Sequence, residues 1–458
     1  MKRLFGTDGI RGVAGEFPLD DDTLIRIGTT LARSLGADTG RPPRLVLGRD
    51  TRESGPRIEA ALVDGITAGG GQVDRGGVLT TPAIACLTRL LAYDGGMVIS
   101  ASHNPYRDNG IKVFTRSGQK LPDAVELAIE RAVLDGGGGT VGADVAPATS
   151  QPPPPASPER LRERYLDWLQ ASADSRAALV GWSIVLDCAN GAASSLAPAI
   201  FRRLGAEVTV INDAPDGRNI NEGGGALHPE GLAAAVRERG ARLGLAFDGD
   251  ADRCLAVDAT GRILDGDYLL FLAARDLHAA GGLPRATVVG TVMSNLWLER
   301  ALRADGIDLL RAPVGDKYVL EEMLRGGHPL GGEQSGHIIF LERATTGDGI
   351  LTGLLFAGLL QRTGLDLAAW ASTVRPCPQV LLNVPVRERP PIDLHPVIGP
   401  AVLDEQRRLG DRGRVLVRYS GTEPKARVMV EGESRHEVES CAARLVSLIE
   451  RTIGRSSS

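Results

Sequence analysis

The sequence predicts an α/β protein of three serial α/β domains with mainly parallel mixed sheets, followed by a C-terminal α+β domain. Short apolar runs alternate with segments of helical spacing, a rhythm typical of parallel sheets covered by helices on both faces. This rhythm repeats in three units of about 100 residues, the usual size of a domain. The last part of the 458-residue chain is instead rich in strands.

In the first unit the elements follow one another closely. Its predicted strands, each a short apolar run, are residues 44–48, 96–99 and 111–114. Apolar residues between 58 and 66 recur at helical spacing, and the pair at 81–82, Thr-Pro, is a good cap and first turn for the next helix. Residues 108–110 predict a turn. The resulting hairpin is expected to bring Lys112 back near Ser102.

The second and third units resume this rhythm after a Gly- and Pro-rich segment, residues 135–158, which cannot pack a core and predicts a boundary. The predicted strands are residues 183–186, 207–211, 243–247, 287–291, 307–310 and 338–340. The predicted helices lie at residues 162–169, after Pro229, and near 295–303, 316–325 and 347–362.

The tail predicts an α+β unit. Strand-rich segments at 376–386 and 414–430 are followed by a capping-box pattern, Ser434 with Glu437, and a helix with an apolar face. We therefore expect four domains. Their predicted bounds are residues 1–155, 156–258, 259–375 and 376–458.

Composition favours a protein of the cell interior. The formal net charge of −5 argues against nucleic-acid or membrane-surface partners. The five cysteines are dispersed without a CxxC pair, which is typical of a reduced, intracellular chain without a zinc ribbon. The N-terminus lacks the apolar stretch of a signal peptide, and no apolar run approaches the ~18 residues of a membrane span. A cytoplasmic location is expected.

Ser102 lies just past the predicted strand at 96–99, in the stretch SASHNP. The proline forces a turn, because it pushes Asn104 out of the helical region. Loops beyond strand ends in α/β proteins are the usual ligand sites, so this hydroxyl is a candidate nucleophile. Taken alone, a serine that bonds its own backbone in a turn is the simpler interpretation.

Asp248, Asp250 and Asp252 follow directly on a predicted buried strand, with small residues between them. On an extended chain this spacing points all three carboxylates the same way. Like charges so close repel unless a cation lies among them, and oxygen ligands favour magnesium, manganese or calcium. An EF-hand is excluded, because Arg253 and Ala259 stand where that loop needs glycine and glutamate. A solvated acidic loop is the alternative.

Two further stretches suit a phosphosugar. Residues 418–422 with Arg427 group two guanidinium forks and two hydroxyls on a flexible loop, a set that suits phosphate, although a hairpin with surface arginines explains it equally. In GGEQSGH, Glu333 and Ser335 are spaced to hydrogen-bond neighbouring sugar hydroxyls, while His337 is more simply structural.

The opening stretch FGTDGIRG carries Arg11 among glycines, as a fork donor suited to phosphate or as a solvated turn residue. A nucleophile, a divalent-ion cluster and phosphate-holding groups together indicate phosphoryl transfer. A serine hydrolase is disfavoured, because its G-x-S-x-G elbow would need glycine where Ser100 and Asn104 stand.

These motifs, in the same order along the chain, make the sequence resemble the α-D-phosphohexomutase superfamily. The motifs are FGTDGIRG, SASHNP, DGDADR, GGEQSGH and RYSGTEPKARVMVEG. The first and fourth resemble the phosphoglucosamine branch of that superfamily. The resemblance implies four domains around a central cleft, each contributing one loop.

The resemblance also implies roles for individual residues. Ser102 would be a phosphoserine that donates and recovers the phosphoryl group, with one magnesium ion per site held by its phosphate and by Asp248, Asp250 and Asp252. The implied lining of the transfer site is Arg11, His103, Lys112 and Arg253, with Lys112 a candidate general acid/base. Glu333 and Ser335 would bind sugar hydroxyls. The implied holders of the other phosphate are Arg418, Ser420, Gly421, Thr422 and Arg427.

The implied reaction is the interconversion of glucosamine 6-phosphate and glucosamine 1-phosphate through a bisphosphate intermediate. A glucose or mannose phosphate mutase is the alternative within the superfamily. A metal-dependent phosphatase and a non-catalytic sugar-phosphate-binding protein are the alternatives outside it. The implied partner is a small amino-sugar phosphate, with a homodimer as a further expectation.

Overall fold

The computed structural model describes residues 4–6, 8–135, 155–173, 179–420 and 424–455, with the side chains at positions 38 and 39 excepted. Residues 136–154 of the predicted boundary segment, and the predicted phosphate ligands Gly421 and Thr422, lie outside the described residues.

The first unit is a six-stranded sheet with helices on both faces. Its strands are β1 (Phe5–Gly6), β2 (Gly9–Val13), β3 (Arg44–Arg49), β4 (Gln72–Val78), β5 (Gly95–Ile99) and β6 (Asp108–Thr115). Its helices are α1 (Asp21–Thr39), α2 (Gly55–Ala68), α3 (Thr81–Leu90) and α4 (Asp123–Leu134). Alternate side chains of a strand point to opposite faces of the sheet. In β3, Leu45 and Leu47 therefore belong to the apolar cluster on one face and Val46 to the cluster on the other.

The second unit contains α5 (Pro158–Ser172), β7 (Ser183–Asp187), α6 (Ala193–Arg203), β8 (Glu207–Ile211), α7 (Glu230–Arg239), β9 (Leu243–Phe247), β10 (Cys254–Asp258) and β11 (Ile263–Leu264). The third contains α8 (Gly266–Ala279), β12 (Thr287–Thr291), α9 (Leu296–Ala304), β13 (Asp308–Ala312), α10 (Asp316–Gly326), β14 (Leu330–Gly332), β15 (Ile338–Phe340), α11 (Gly349–Thr363) and α12 (Leu367–Thr373).

The C-terminal unit contains β16 (Gln379–Pro385), α13 (Ile398–Leu409), β17 (Gly413–Tyr419), β18 (Lys425–Gly432) and α14 (Arg435–Ile453). Its three strands form an antiparallel sheet in the order β16-β18-β17. Ser434 caps α14 by accepting a hydrogen bond from the backbone of Glu437, as the capping-box pattern predicts.

The first three sheets share one topology. Their strand orders contain β6-β5-β3-β4, β10-β9-β7-β8 and β15-β14-β12-β13. In each order the last three strands are parallel, and the first strand, which comes last along the chain, is antiparallel to its neighbour. The fold class predicted from sequence is confirmed. In each of these three sheets one loop joins the third parallel strand to the antiparallel strand. These equivalent loops carry the SASHNP, DGDADR and GGEQSGH stretches.

A single apolar cluster connects the first three units, and it includes Val98, Leu245 and Leu330. The C-terminal unit has a core of its own, to which Val428 and Leu445 belong. In the described part of the chain no single helix is long and apolar enough to cross a membrane. The bent pair α11–α12, broken by 97°, passes that test only by length and composition.

Two local predictions differ from the structure. Residues 108–110 are not a turn but the start of β6, because Asn109 and Gly110 pair with β2, which the sequence did not predict as a strand. The side chain that caps α3 belongs to Thr80, which accepts a hydrogen bond from the backbone of Ala83, and Thr81 is the first helical residue. The hydroxyl of Thr81 is thereby left for another contact.

Candidate functional site

The nucleophile candidate of the first unit meets the acid cluster of the second. Ser102 is buried in the β5–β6 loop with a left-handed φ of 52°. Its Oγ donates a hydrogen bond to Oδ2 of Asp248 at 2.7 Å and lies 3.2 Å from Nδ1 of His103. The two stretches predicted to share one site are therefore in direct contact.

A buried arginine holds the loop that carries Ser102. Arg52, fully buried and paired with Asp50 at 2.9 Å, donates to the carbonyl oxygens of Ser102 at 3.0 Å and Asn104 at 2.8 Å. Asn221 of the second unit donates to the same Ser102 carbonyl at 2.9 Å. These donors hold Ser102 in a backbone conformation that residues other than glycine rarely adopt.

We expect Arg52→Lys to lower kcat by about 100-fold with little change in KM, because one ammonium cannot reproduce several fixed guanidinium hydrogen bonds and a misplaced nucleophile is costly. Steady-state kinetics measures the change, and a thermal melt checks that the variant folds. Arg57→Lys, a change at a partly exposed ion pair with Asp21, is the control and should leave kcat unchanged. A kcat within twofold of wild type in the folded Arg52 variant would contradict the prediction.

The three aspartates converge, although the geometric reason predicted from sequence is wrong. The segment is a turn rather than an extended strand, with Ala251 at a φ of 56°. One ligand atom from each of Asp248, Asp250 and Asp252 lies within 4.8 Å of the others, and all three residues are buried. A left-handed residue between the second and third acids folds them inward.

The chemistry of this cluster fits a divalent cation. Oδ1 of Asp250 and Oδ1 of Asp252 are buried, and neither has a hydrogen-bond partner among the described residues. Burial raises the pKa of Asp248 well above its ordinary value, and the neighbouring Asp252 and Asp250 raise it further. A hard cation such as Mg²⁺ would bind the carboxylate oxygens that lack a partner, and its charge would offset the repulsion among the three carboxylates.

Lys112 is a buried residue of the site and not the surface charge that is usual for a strand lysine. Its Nζ lies 3.0 Å from Oδ2 of Asp250, 3.2 Å from Oδ2 of Asp8 and 3.4 Å from Oδ2 of Asp252. Burial alone would lower the pKa of Lys112, but these carboxylates outweigh burial and raise it well above the ordinary value. Lys112 is therefore held protonated.

A cavity of about 540 Å³ opens beside Ser102. All of the first three units contribute to its lining, which includes Asp8, Arg11, Ser102, His103, Asp252, Arg253, Gly315, Asp316, Glu333 and His337. Burial, together with Arg253 and Arg11, lowers the pKa of His103 to about 4, so its ring is neutral near pH 7. Arg11 pairs with Asp8 at 2.5 Å and reaches Oδ1 of Asn104 at 3.3 Å.

The GGEQSGH loop borders this cavity through Glu333 and His337. Oε1 of Glu333 accepts a hydrogen bond from the backbone of Gly315 at 3.0 Å. Oγ of Ser335 is buried and makes no hydrogen bond within the described part of the chain. His337 accepts one from the backbone of Gly347 at 3.0 Å and lies 3.7 Å from Asp252. The last residue thus has a structural role next to the acid cluster.

The predicted phosphate holders of the C-terminal unit form a separate group. Arg418 and Arg427 face each other across β17 and β18, and Nη2 of Arg427 lies 3.4 Å from Oγ of Ser420. Burial lowers the pKa of Arg418, and the like charge of Arg427 lowers it further. Two adjacent guanidinium groups suit an anion. Neither arginine lines the cavity beside Ser102 as the described residues delimit it.

The sequence did not predict Asp8, Thr81, Lys120 or Asp316 as residues of the site. Lys120 bonds both Asp8 and Asp316, so it joins the first and third units across the cavity. Thr81 donates to Oδ2 of Asp250 at 2.5 Å. Asp8 stands three positions before Arg11 and could have been proposed as its partner. The other three had no local signal. Thr81 and Asp316 begin ordinary helices and Lys120 lies in an isolated β-bridge, and their partners come from distant parts of the chain.

A buried acid joins the units behind the cluster. Asp348 caps α11 and accepts a hydrogen bond from Tyr165 of α5 at 2.7 Å. The next residue, Gly349, donates its N–H to the carbonyl of Ala251 at 2.9 Å. Burial raises the pKa of Asp348 to about 6.

This raised pKa predicts a pH-dependent stability. The pKa of Asp348 in the folded protein is above the unfolded value of about 3.9, so the folded protein binds this proton more tightly. The protonated Asp348 therefore stabilises the fold at low pH, and this stabilisation is lost as the pH rises from about 4 to 6. Asp348→Asn does not titrate. The free energy of unfolding of the variant minus that of the wild type should therefore be about 1–3 kcal/mol larger at pH 7 than at pH 4. Urea unfolding at both pH values measures this difference. Asp393→Asn, at an exposed position, is the control. The same difference between Asp348→Asn and wild type at pH 4 and pH 7 would contradict the prediction.

Comparison with known proteins identifies the relatives of this chain. Four phosphoglucomutase/phosphomannomutase domain families match it in order: alpha/beta/alpha domain I at residues 2–137, domain II at 163–261, domain III at 265–376 and the C-terminal domain at 381–448. A solved phosphoglucomutase/phosphomannomutase family protein of Burkholderia thailandensis superposes with a TM-score of 0.79 at 25% identity, covering 98% of this chain and 97% of that chain. The N-acetylphosphoglucosamine mutase of Aspergillus fumigatus, solved with GlcNAc-6P and magnesium, shares the fold with a TM-score of 0.67 at 19% identity, covering 98% of this chain and 96% of that chain.

Curated relatives match over nearly the whole length. The phosphoglucosamine mutase of Moorella thermoacetica is 50% identical over 448 residues, covering 97% of this chain and 98% of that protein. The phosphoglucosamine mutase of Syntrophotalea carbinolica is 46% identical over 453 residues, covering 99% of this chain and 98% of that protein. The resemblance stated from the motifs is confirmed. The chain belongs to the phosphoglucomutase/phosphomannomutase family, within its phosphoglucosamine mutase group.

Proposed function

We propose that this chain interconverts glucosamine 6-phosphate and glucosamine 1-phosphate as an intramolecular phosphotransferase. The substrate rests on full-length relatives of 46% and 50% identity that are phosphoglucosamine mutases. The chemistry rests on one observation, the Ser102 hydroxyl 2.7 Å from Asp248 inside a buried acid cluster. A hydroxyl among carboxylates, beside a cavity lined by Arg11 and Arg253, suits transfer of a phosphoryl group.

In the proposed reaction Ser102 carries a phosphoryl group at rest. A sugar hydroxyl attacks the phosphorus, the bond from phosphorus to Oγ of Ser102 breaks, and a new bond joins phosphorus to the sugar oxygen. The resulting bisphosphate rotates within the cavity, so that its other phosphoryl group comes to face Ser102. Its other phosphoryl group then returns to Oγ of Ser102, so atoms and charge balance over the cycle. Magnesium held by Asp248, Asp250, Asp252 and the phosphate would neutralise charge on the group in transit.

His103, next to Ser102, and Lys112, at the acid cluster, divide the proton transfers in this proposal. His103, kept neutral by its lowered pKa of about 4, can accept the proton of the attacking hydroxyl. Lys112, whose Nζ lies within 3.4 Å of three carboxylates, would supply positive charge or a proton. Environments that push two pKa values in opposite directions are typical of acid and base pairs.

The remaining predicted residues would hold the substrate. Arg11 and Arg253 line the cavity beside Ser102 and suit the transferring phosphate. Glu333 and Ser335 would bind sugar hydroxyls; Oγ of Ser335 has no hydrogen-bond partner in the part of the chain that the structure describes. The distal phosphate would be held by Arg418, Ser420, Gly421, Thr422 and Arg427.

A rate comparison on the 6-phosphates of glucosamine, glucose and mannose tests this function. We expect the highest kcat/KM for glucosamine 6-phosphate, with formation of the 1-phosphate. A higher value for glucose or mannose would favour the alternative mutases of the same family. Release of free phosphate without isomerisation would instead identify a phosphatase.

A further inference from the structure

We infer that Thr81 is a positioning residue for the divalent cation, acting through Asp250. The inference rests on the proposed function, because it needs a cation at the acid cluster. Thr81 is the first residue of α3 in the first unit, and Asp250 lies in the second unit, 169 positions away. A residue from outside the acid cluster would thus decide how one of its ligands points.

Thr81 holds Asp250 at two places. Its Oγ1 donates to Oδ2 of Asp250 at 2.5 Å, and its backbone N–H donates to the carbonyl oxygen of Asp250 at 3.1 Å. Thr81 is 1% exposed and Asp250 is fully buried, so water does not compete for these hydrogen bonds. Both the side chain and the backbone of Asp250 are therefore fixed by one residue.

The hydrogen bonds select which carboxylate oxygen remains for an ion. Oδ2 of Asp250 accepts from Thr81 and also from Nζ of Lys112 at 3.0 Å. Oδ1 is buried, and no described part of the chain offers it a hydrogen-bond donor. A side chain that binds a metal ion is oriented by hydrogen bonds from neighbouring residues. Losing one of these hydrogen bonds typically weakens metal binding about 10–100-fold. Thr81 and Lys112 together leave Oδ1 as the oxygen that is free to bind a cation.

Thr81 is free for this contact because the helix does not need its hydroxyl. The N-cap hydrogen bond of α3 is made by Thr80, whose side chain accepts from the backbone of Ala83. Two consecutive threonines thus divide two tasks, one within the helix and one between the units.

The test compares Mg²⁺ binding to the full-length protein by calorimetry, without sugar phosphate. Thr81→Val keeps the shape of the side chain and removes the donor, and we expect its Kd for Mg²⁺ to rise about 10-fold. Thr81→Ser restores the donor and should bring the Kd back close to that of wild type. At saturating Mg²⁺ the kcat of Thr81→Val should recover most of its loss, because the defect lies in ion binding.

Thr88→Val is the matched control. Thr88 lies on the same helix, is fully buried, and donates to the carbonyl of Ile84 at 2.6 Å, away from the acid cluster. Its Kd for Mg²⁺ should equal that of wild type, whereas a general effect of losing a buried threonine hydroxyl would change both variants alike. Such a parallel change, or a folded Thr81→Val with a Kd within twofold of wild type, would overturn the inference while leaving the proposed function intact. Failure of the wild type to bind Mg²⁺ would overturn both.

Discussion

Replacement of Ser102 by alanine will lower mutase turnover by roughly 10⁴-fold or more, the loss typical of removing a nucleophile that acts with its neighbours as a unit. Alanine cannot carry the phosphoryl group, and the bisphosphate then has no acceptor to return one to. Formation of glucosamine 1-phosphate from the 6-phosphate measures the loss. The variant should also lack the single added phosphate that intact-mass measurement is expected to find on the wild type.

Ser34→Ala is the control for this prediction. Ser34 is also a buried serine of the first unit, but its Oγ bonds the carbonyl of Thr30 within α1 at 2.9 Å, far in sequence from the SASHNP loop. Its turnover should equal that of the wild type. Normal turnover in Ser102→Ala would exclude the phosphoserine mechanism, whatever the identity of the sugar.

Asp250→Asn should raise the Kd for Mg²⁺ by about 100-fold, because it removes one negative charge from the ligands themselves. This is the upper end of the 10–100-fold effect that is typical of losing a residue that only hydrogen-bonds a ligand. Turnover at low magnesium should fall accordingly. The single side-chain oxygen of asparagine can still accept the hydrogen bonds of Thr81 and Lys112, so the loop is expected to keep its position. The amide NH2 then faces the ion site in place of Oδ1, and it cannot bind a cation. Calorimetry with Mg²⁺ and turnover over a range of magnesium concentrations separate the two effects.

The exposed Asp213→Asn in the same unit removes an equal charge away from the cluster, and its Mg²⁺ affinity should stay at the wild-type value. If Asp250→Asn kept both the affinity and the magnesium dependence of the wild type, the cation would have to bind elsewhere. High magnesium is expected to restore turnover only in part, because the variant has lost one ligand oxygen of the proposed site.

Much of this architecture could be predicted from the sequence. Strands such as β5 and β9 are continuous apolar runs, and their helical neighbours show a different period, so the alternation is visible along the chain. The two loops that follow these strands carry Ser102 and the aspartate cluster. Their meeting could be proposed because equivalent strand ends of α/β units are ligand sites.

Other parts of the site could not be predicted, because they depend on partners far along the chain. Lys112 is an ordinary strand lysine until Asp250, 138 positions away, surrounds it with negative charge. Residues 108–110 were predicted as a turn from their local composition, but pairing with β2 outweighed that preference. The left-handed backbone of Ala251, which turns the acids inward, has no signature in a residue that favours helices.

The sequence by itself determined the α/β rhythm, the order of the motifs and the family, because hydrophobic period and motif spacing are properties of neighbouring residues. Only the tertiary structure decided that Arg52 holds the Ser102 loop and that Thr81 holds Asp250. The physical reason is that a buried donor acquires its role from the acceptor packed against it, and here the acceptors lie on other loops, 50 and 169 positions away.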